Sequence, residues 1–126
     1  MSNEQYLAIL DLGSNSVRLK ITKIQDNGNF ETIQYEKRYV RLASNMGPEK
    51  MLKSTPVKRT IDALKEFRAI CDRYRNKNLT IIAVATAAVR QAQNQLQFLE
   101  KVQRETGFEI HVISGEREAY LDYVGV

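Results

Sequence analysis

The run beginning at Tyr6, Tyr-Leu-Ala-Ile-Leu-Asp-Leu-Gly-Ser-Asn-Ser-Val-Arg-Leu-Lys-Ile, constrains the fold more than any other stretch of the chain. Leu7 to Leu10 is a short continuous apolar run of the kind that suits a strand covered on both faces. Asp11 stands at its end. Gly13 lacks the Cβ that would obstruct a sharp bend and a close approach of backbone to a ligand. Ser14, Asn15 and Ser16 supply hydroxyls, an amide and successive N–H groups that together can form an anion-binding nest, and Asp11 is placed to hold a hydrated Mg²⁺. The same residues are ordinary turn formers, so the hexapeptide alone is equally compatible with a plain turn.

Beyond the turn, Val17, Leu19 and Ile21 alternate with Arg18, Lys20 and Thr22, the period of a half-buried strand. Asp26-Asn27-Gly28-Asn29 turns the chain into a third strand, Phe30 to Val40, and the hairpins make this part of the sheet antiparallel. A loop around Gly47-Pro48 leads to a helix that starts at Ser54 or Thr55 with Pro56 in its first turn. Val57, Ile61, Leu64, Phe67, Ile70, Cys71 and Tyr74 form its apolar stripe. Leu79 to Ala85 reads as a strand, and Thr86 to Ala92 as a short helical or irregular stretch. Asn94 caps a helix carrying Leu96, Leu99 and Val102 that stops at Gly107, Phe108 to Ser114 is a last strand, and Glu116 to about Val124 resumes helical spacing.

The resulting order is βββαβαβα, an α/β fold with a mixed five-stranded sheet and helices on both faces. Strands joined through helices run parallel with right-handed crossovers, so the first, fourth and fifth strands share one carboxyl edge. The Asp11 turn, Thr86 to Arg90 and Ser114 to Glu118 then meet at the crevice where open α/β sheets bind ligands. An arginine there can grip phosphate bidentately, and a glutamate at its mouth completes the set. Arg90 also fits surface solvation, and either Glu116 or Glu118 fits the favourable first turn of a helix. Arg38 and Arg41 are weaker candidates, at a strand end or on a loop able to fold over a substrate.

A chain of 126 residues, 43% hydrophobic and 27% charged, suits one globular domain, with no repeat or linker at which to divide it. No apolar run approaches the roughly 20 residues of a membrane span, and the N-terminus lacks a secretory pattern, so the cytoplasm is the expected location. Cys71 is the only cysteine and reads as a small buried hydrophobe. His111 has no second His or Cys at metal-ligand spacing. The net charge of +4 is scattered among acidic residues without aromatic interleaving, which argues against nucleic-acid binding.

Asp11-Leu12-Gly13-Ser14-Asn15-Ser16, Thr86-Ala87-Ala88-Val89-Arg90-Gln91-Ala92-Gln93-Asn94 and Ile113-Ser114-Gly115-Glu116-Arg117-Glu118-Ala119 resemble, in order and spacing, three N-terminal signatures of the exopolyphosphatase and guanosine pentaphosphate phosphohydrolase family. Val40-Arg41-Leu42-Ala43 and Met46-Gly47-Pro48 resemble that family's loop between the third strand and the first helix, so the likeness covers essentially the whole chain. The resemblance implies a ribonuclease-H-like domain of the actin, hexokinase and sugar-kinase superfamily. It implies Mg²⁺-dependent hydrolysis of the terminal phosphate of polyphosphate or of the 5′ γ-phosphate of guanosine pentaphosphate. Asp11 would bind the metal, Gly13, Ser14, Asn15, Ser16 and Arg90 the substrate phosphates, and Glu118 would activate water. Glu116-Arg117 and Ala43-Ser44-Asn45 depart from the common pattern in ways that bear on substrate choice. Because no Asp-x-Gly-Gly-Gly pattern is present and the chain stops at an apolar end, residues 1–126 are expected to be an N-terminal actin-like ATPase-type domain cut from a longer enzyme and nearly inactive alone. A kinase of the same superfamily and a non-catalytic module that binds polyphosphate or alarmone are the alternatives, and a homodimer is left open.

Overall fold

The computed structural model describes residues 4–114. Strands β1 (Gln5–Leu12), β2 (Ser16–Ile24) and β3 (Phe30–Tyr39) precede helix α1 (Ser54–Asp72). Strand β4 (Leu79–Ala85), helices α2 (Ala87–Gln91) and α3 (Gln95–Thr106) and strand β5 (Ile110–Val112) follow. One sheet results, in the order β3-β2-β1-β4-β5. β1 and β2 pair antiparallel, as do β2 and β3, whereas β4 runs parallel to both β1 and β5. This is the expected mixed five-stranded sheet, and its three parallel strands end on a shared edge.

The period of two along the strands decides which residues form the core. Ala8, Leu10 and Leu12 of β1 lie in register with Ile21, Leu19 and Val17 of β2 and with Ile81, Ala83 and Ala85 of β4. That face carries α1 and α3, which pack against each other as well as on the sheet. α1 contributes Ile61, Leu64, Phe67, Ile70 and Cys71, all buried. Leu7 and Ile9 point the other way and alternate with the core residues, so among the described residues β1 is not covered equally on both faces. Ile82, which pairs with Ile9, is 43% exposed on that second face. The helix expected over 116–124 lies outside the described residues.

Boundaries differ from the sequence reading in instructive ways. β1 extends to Leu12, so Asp11 sits inside the strand opposite Arg18 rather than just past its end. Leu96 is 74% exposed, and the buried stripe of α3 is Phe98, Val102 and Thr106. Asn94 precedes α3 but makes no side-chain cap, because its amide is committed elsewhere. Gly107 ends α3 at φ 76°, as expected of a left-handed C′ glycine. In the β2–β3 hairpin Gly28 takes φ 85°, and Asn27 Oδ1 accepts from the Asn29 N–H at 2.9 Å.

Phe67 is fully buried between α1 and the sheet, with the Arg38 guanidinium over its ring at 5.7 Å. Phe67→Ala is expected to cost about 3–5 kcal/mol in denaturant unfolding, the range for emptying an aromatic site in a core. Burial pushes the Cys71 thiol up to about 11. The folded chain therefore keeps this proton longer than the unfolded one, and the associated stability is complete below the ordinary thiol range and is lost as pH rises through 11. Maleimide or disulfide reagents at pH 8 should leave Cys71 intact in the native protein and label it promptly in denaturant.

Candidate functional site

The carboxyl edge of the parallel strands is held together by hydrogen bonds that run from one signature to the next. The Thr86 N–H donates to the Leu12 carbonyl at 3.2 Å, and the Ile113 N–H to the Ala85 carbonyl at 3.0 Å. Arg90 Nη1 donates to the Ile113 carbonyl at 2.7 Å. Segments distant in sequence, the end of β1, the start of α2 and the end of β5, are thus adjacent through main-chain and guanidinium contacts.

The turn after β1 is shaped by its own backbone. Gly13 donates its N–H to the Ser16 carbonyl at 3.0 Å, and a Cβ on Gly13 would lie 3.2 Å from that same oxygen. A side chain here would press on the Ser16 carbonyl and require a shift of a few tenths of an ångström, so the close approach of the chain to itself favours glycine. The carbonyl of Ser14 accepts from the Ala43 N–H at 3.1 Å, while that of Asn15 accepts from the N–H groups of Val40 and Arg41 at 3.1 and 2.9 Å. With the carbonyls turned toward residues 40–43, the N–H groups of Ser14 and Asn15 donate to no backbone carbonyl among the described residues. Exposed or half-exposed amides of this kind are suited to an anion.

Asp11 shows an uneven carboxylate. Oδ2 pairs with Arg18 Nη2, whereas Oδ1 is buried and has no hydrogen-bond partner among the described residues. Hydrogen bonding to Asp11 holds the Arg18 guanidinium charged above its usual value. A buried carboxylate oxygen left without a donor carries a desolvation cost that a cation or a bound water would relieve. This donor set fits a hydrated Mg²⁺, which takes one or two carboxylates and leaves its other positions to water and phosphate. No cluster of metal-ligating side chains that would make a protein-only cage occurs among the described residues.

Arg90 lies in the last turn of α2, a five-residue helix whose C-terminal carbonyls are satisfied by a neighbour. Gln95 Nε2 donates to the carbonyls of Val89 and Arg90 at 3.0 and 3.2 Å. The sequence reading missed Gln95, although its position just after Asn94 at the start of α3 was a cue. Arg38 sits between Glu36 and Glu66 on the helix-covered side of β3. Arg41 stays at the edge, exposed and in the left-handed region at φ 49°, with its carbonyl accepting from Arg59 Nη2 at 3.4 Å. His111 is exposed on β5 opposite Val84 and joins no cluster of potential metal ligands among the described residues. Glu118, with Gly115 and Glu116, lies outside the described residues.

An open groove of about 390 Å³ among Glu4, Gln25, Asp26 and Asn27 lies at the other end of β1 from Asp11. Glu4 there pairs with Lys23, and Asn27 serves the hairpin turn, so the groove has its own structural explanation.

Residues 21–126 match the Ppx/GppA phosphatase family model. A bifunctional 3-dehydroquinate synthase/phosphatase of Fusobacterium nucleatum is 37% identical over 123 residues, covering 94% of this chain and 18% of that protein. A guanosine-5′-triphosphate,3′-diphosphate pyrophosphatase of Aeromonas hydrophila is 35% identical over 126 residues, covering the whole of this chain and 25% of the relative. The chain thus spans a quarter or less of the length of these curated relatives. Among solved structures, the Ppx/GppA family member of Aquifex aeolicus superposes with a TM-score of 0.88 at 34% identity, over 98% of this chain and 39% of that one. An exopolyphosphatase of Cytophaga hutchinsonii superposes with a TM-score of 0.85 at 31% identity, over 93% of this chain and 36% of that one. The ethanolamine utilization protein EutJ of Carboxydothermus hydrogenoformans, at 15% identity and a TM-score of 0.53, shares the fold alone. The ordered motifs, the sheet that gathers them and the family match agree: this chain belongs to the Ppx/GppA phosphatase family.

Proposed function

We propose that the protein carrying this chain is a Mg²⁺-dependent phosphohydrolase that removes the terminal phosphate of inorganic polyphosphate or the 5′ γ-phosphate of guanosine pentaphosphate. The observation that carries this reading is the stitching of the Gly13–Ser16 turn and Arg90 to one sheet edge through Leu12, Thr86, Ala85 and Ile113. Relatives support the substrate class: the Cytophaga protein is an exopolyphosphatase and the Aeromonas protein a guanosine-5′-triphosphate,3′-diphosphate pyrophosphatase. Longer relatives also fit an enzyme in which further domains complete the crevice.

In this reading the N–H groups of Ser14 and Asn15 and the hydroxyls of Ser14 and Ser16 receive phosphate oxygens. Arg90 offsets charge on the terminal phosphoryl group, and Asp11 is the residue that would hold magnesium. When bound, magnesium spreads the charge that develops on the phosphate oxygens during transfer. Glu118 takes a proton from the attacking water as its oxygen bonds to the terminal phosphorus. The anhydride P–O bond breaks, and the shortened chain departs with the electron pair. Phosphoryl transfer asks mainly for positioning and charge stabilisation, and each of these residues provides one or the other.

In the intact protein, Glu118→Gln should lower kcat for phosphate release from long-chain polyphosphate by about 10²–10⁴-fold, the usual contribution of a general base. Arg90→Ala should reduce kcat/KM by about 10² or more, as expected for a lost charge-stabilising donor. Wild-type rates in both variants, or transfer of phosphate to a sugar hydroxyl in place of water, would overturn the assignment. Asp11→Asn should weaken Mn²⁺ binding, followed by water-proton relaxation, by about tenfold, within the range for changes close to a metal.

A further inference from the structure

We propose that Asn94, with Gln95 beside it, is a positioning residue that couples the phosphate turn to the helix carrying Arg90. The inference rests on the phosphate reading of the site and adds to it the element that keeps both halves of the anion grip in step. Asn94 Oδ1 accepts the Leu52 N–H at 2.9 Å, and Asn94 Nδ2 donates to the Leu52 carbonyl at 3.0 Å. The side-chain amide therefore pairs with the main chain of Leu52 much as a neighbouring strand would. Gln93 reinforces the contact by donating its N–H to the Lys50 carbonyl at 2.8 Å. One residue further on, Gln95 holds the carbonyls of Val89 and Arg90. The dipeptide thus faces the 46–53 loop on one side and the Arg90 helix on the other.

The far end of the same loop is fastened to the phosphate turn. Val40 and Arg41 donate to Asn15, and Ala43 to Ser14. Residues 40–53 form a strap from turn to helix, tied at both ends. Arg59 braces its first part, Nε donating to the Val40 carbonyl at 2.9 Å. Arg41, Asn45 and Lys50 hold φ of 49°, 59° and 55°; asparagine adopts this left-handed conformation readily, whereas arginine and lysine do so at a steric cost. A strap holding Arg41 and Lys50 in that region relaxes when one anchor is released. That relaxation passes to Val40–Ala43 and so to the amides of Ser14 and Asn15. Coupling through an element with a held and a relaxed state is the physical basis for linking distant parts of a site.

Asn94→Ala and Asn94→Asp, made in the intact protein, test this. Tripolyphosphate binding is measured by calorimetry, and amide hydrogen exchange is followed across 12–16, 40–46 and 50–53. In Asn94→Ala, tripolyphosphate affinity should fall about tenfold, toward the lower end of couplings between sites. Exchange should quicken at 40–43 and 13–16 as well as beside Leu52. Asn94→Asp keeps the acceptor for the Leu52 N–H but sets a carboxylate oxygen against the Leu52 carbonyl, so it should release that anchor at least as fully as alanine, and it carries the test alone if the alanine variant does not fold. Quickened exchange confined to 50–53, with affinity within about twofold of wild type as for independent sites, would overturn the proposal. Should the wild-type protein bind no tripolyphosphate, the phosphate reading itself fails, while the exchange pattern still decides whether Asn94 governs the turn.

Discussion

The parallel ladder between β1 and β4 is the constraint from which the rest of the arrangement follows. Parallel neighbours cannot be joined by a tight hairpin, so the chain must cross over the sheet, and α1 provides that crossover. Its buried stripe covers the face that carries Ala8, Leu10 and Leu12, and the apolar area removed from water there is what secures the ladder. Once β1, β4 and β5 point the same way, the peptides that follow them have one rim to occupy. Polar residues of the Gly13–Ser16 turn and of Thr86–Arg90 share that rim.

Much of this is legible in the residues. Alternation in β2, the Asn-Gly turn, the α1 stripe and Gly107 are local signals, each tied to a backbone preference or a period, and they appear where the patterns place them. The convergence of the Asp11 turn with Thr86–Arg90 follows from handedness and parallel pairing alone. What periodicity cannot convey is competition for side-chain partners. Asn94 has the chemistry of a cap, yet a buried loop backbone offers its amide two bonds in place of one, and that arrangement wins. Arg38 and Arg41 look alike in sequence, but one meets two carboxylates on β3 and α1 while the other lies past the end of β3 with a left-handed φ of 49°.

Charge at the site is arranged economically. Arg18 and Asp11 face each other across β1 and β2, so the carboxylate nearest the Gly13–Ser16 turn is partly neutralised by its own neighbour. If that turn receives phosphate as proposed, an isolated carboxylate beside it would repel the ligand at close range. The pairing lessens that repulsion, while the other oxygen is buried with no hydrogen-bond partner among the described residues.

The outer margin of the sheet has a consequence for how the molecule behaves in a crowded solution. β3 is ten residues long and ends the strand order, and Phe30, Tyr35 and Tyr39 are exposed on it. A long rim with exposed aromatic groups is a template for stacking of one chain onto the next. The pairing with β2 slips at Ile21/Thr22, which breaks the regular spacing of the rim, and Glu31, Glu36, Lys37 and Arg38 alternate charge with ring along it. Irregular spacing and fixed charge deny an incoming strand a flat partner.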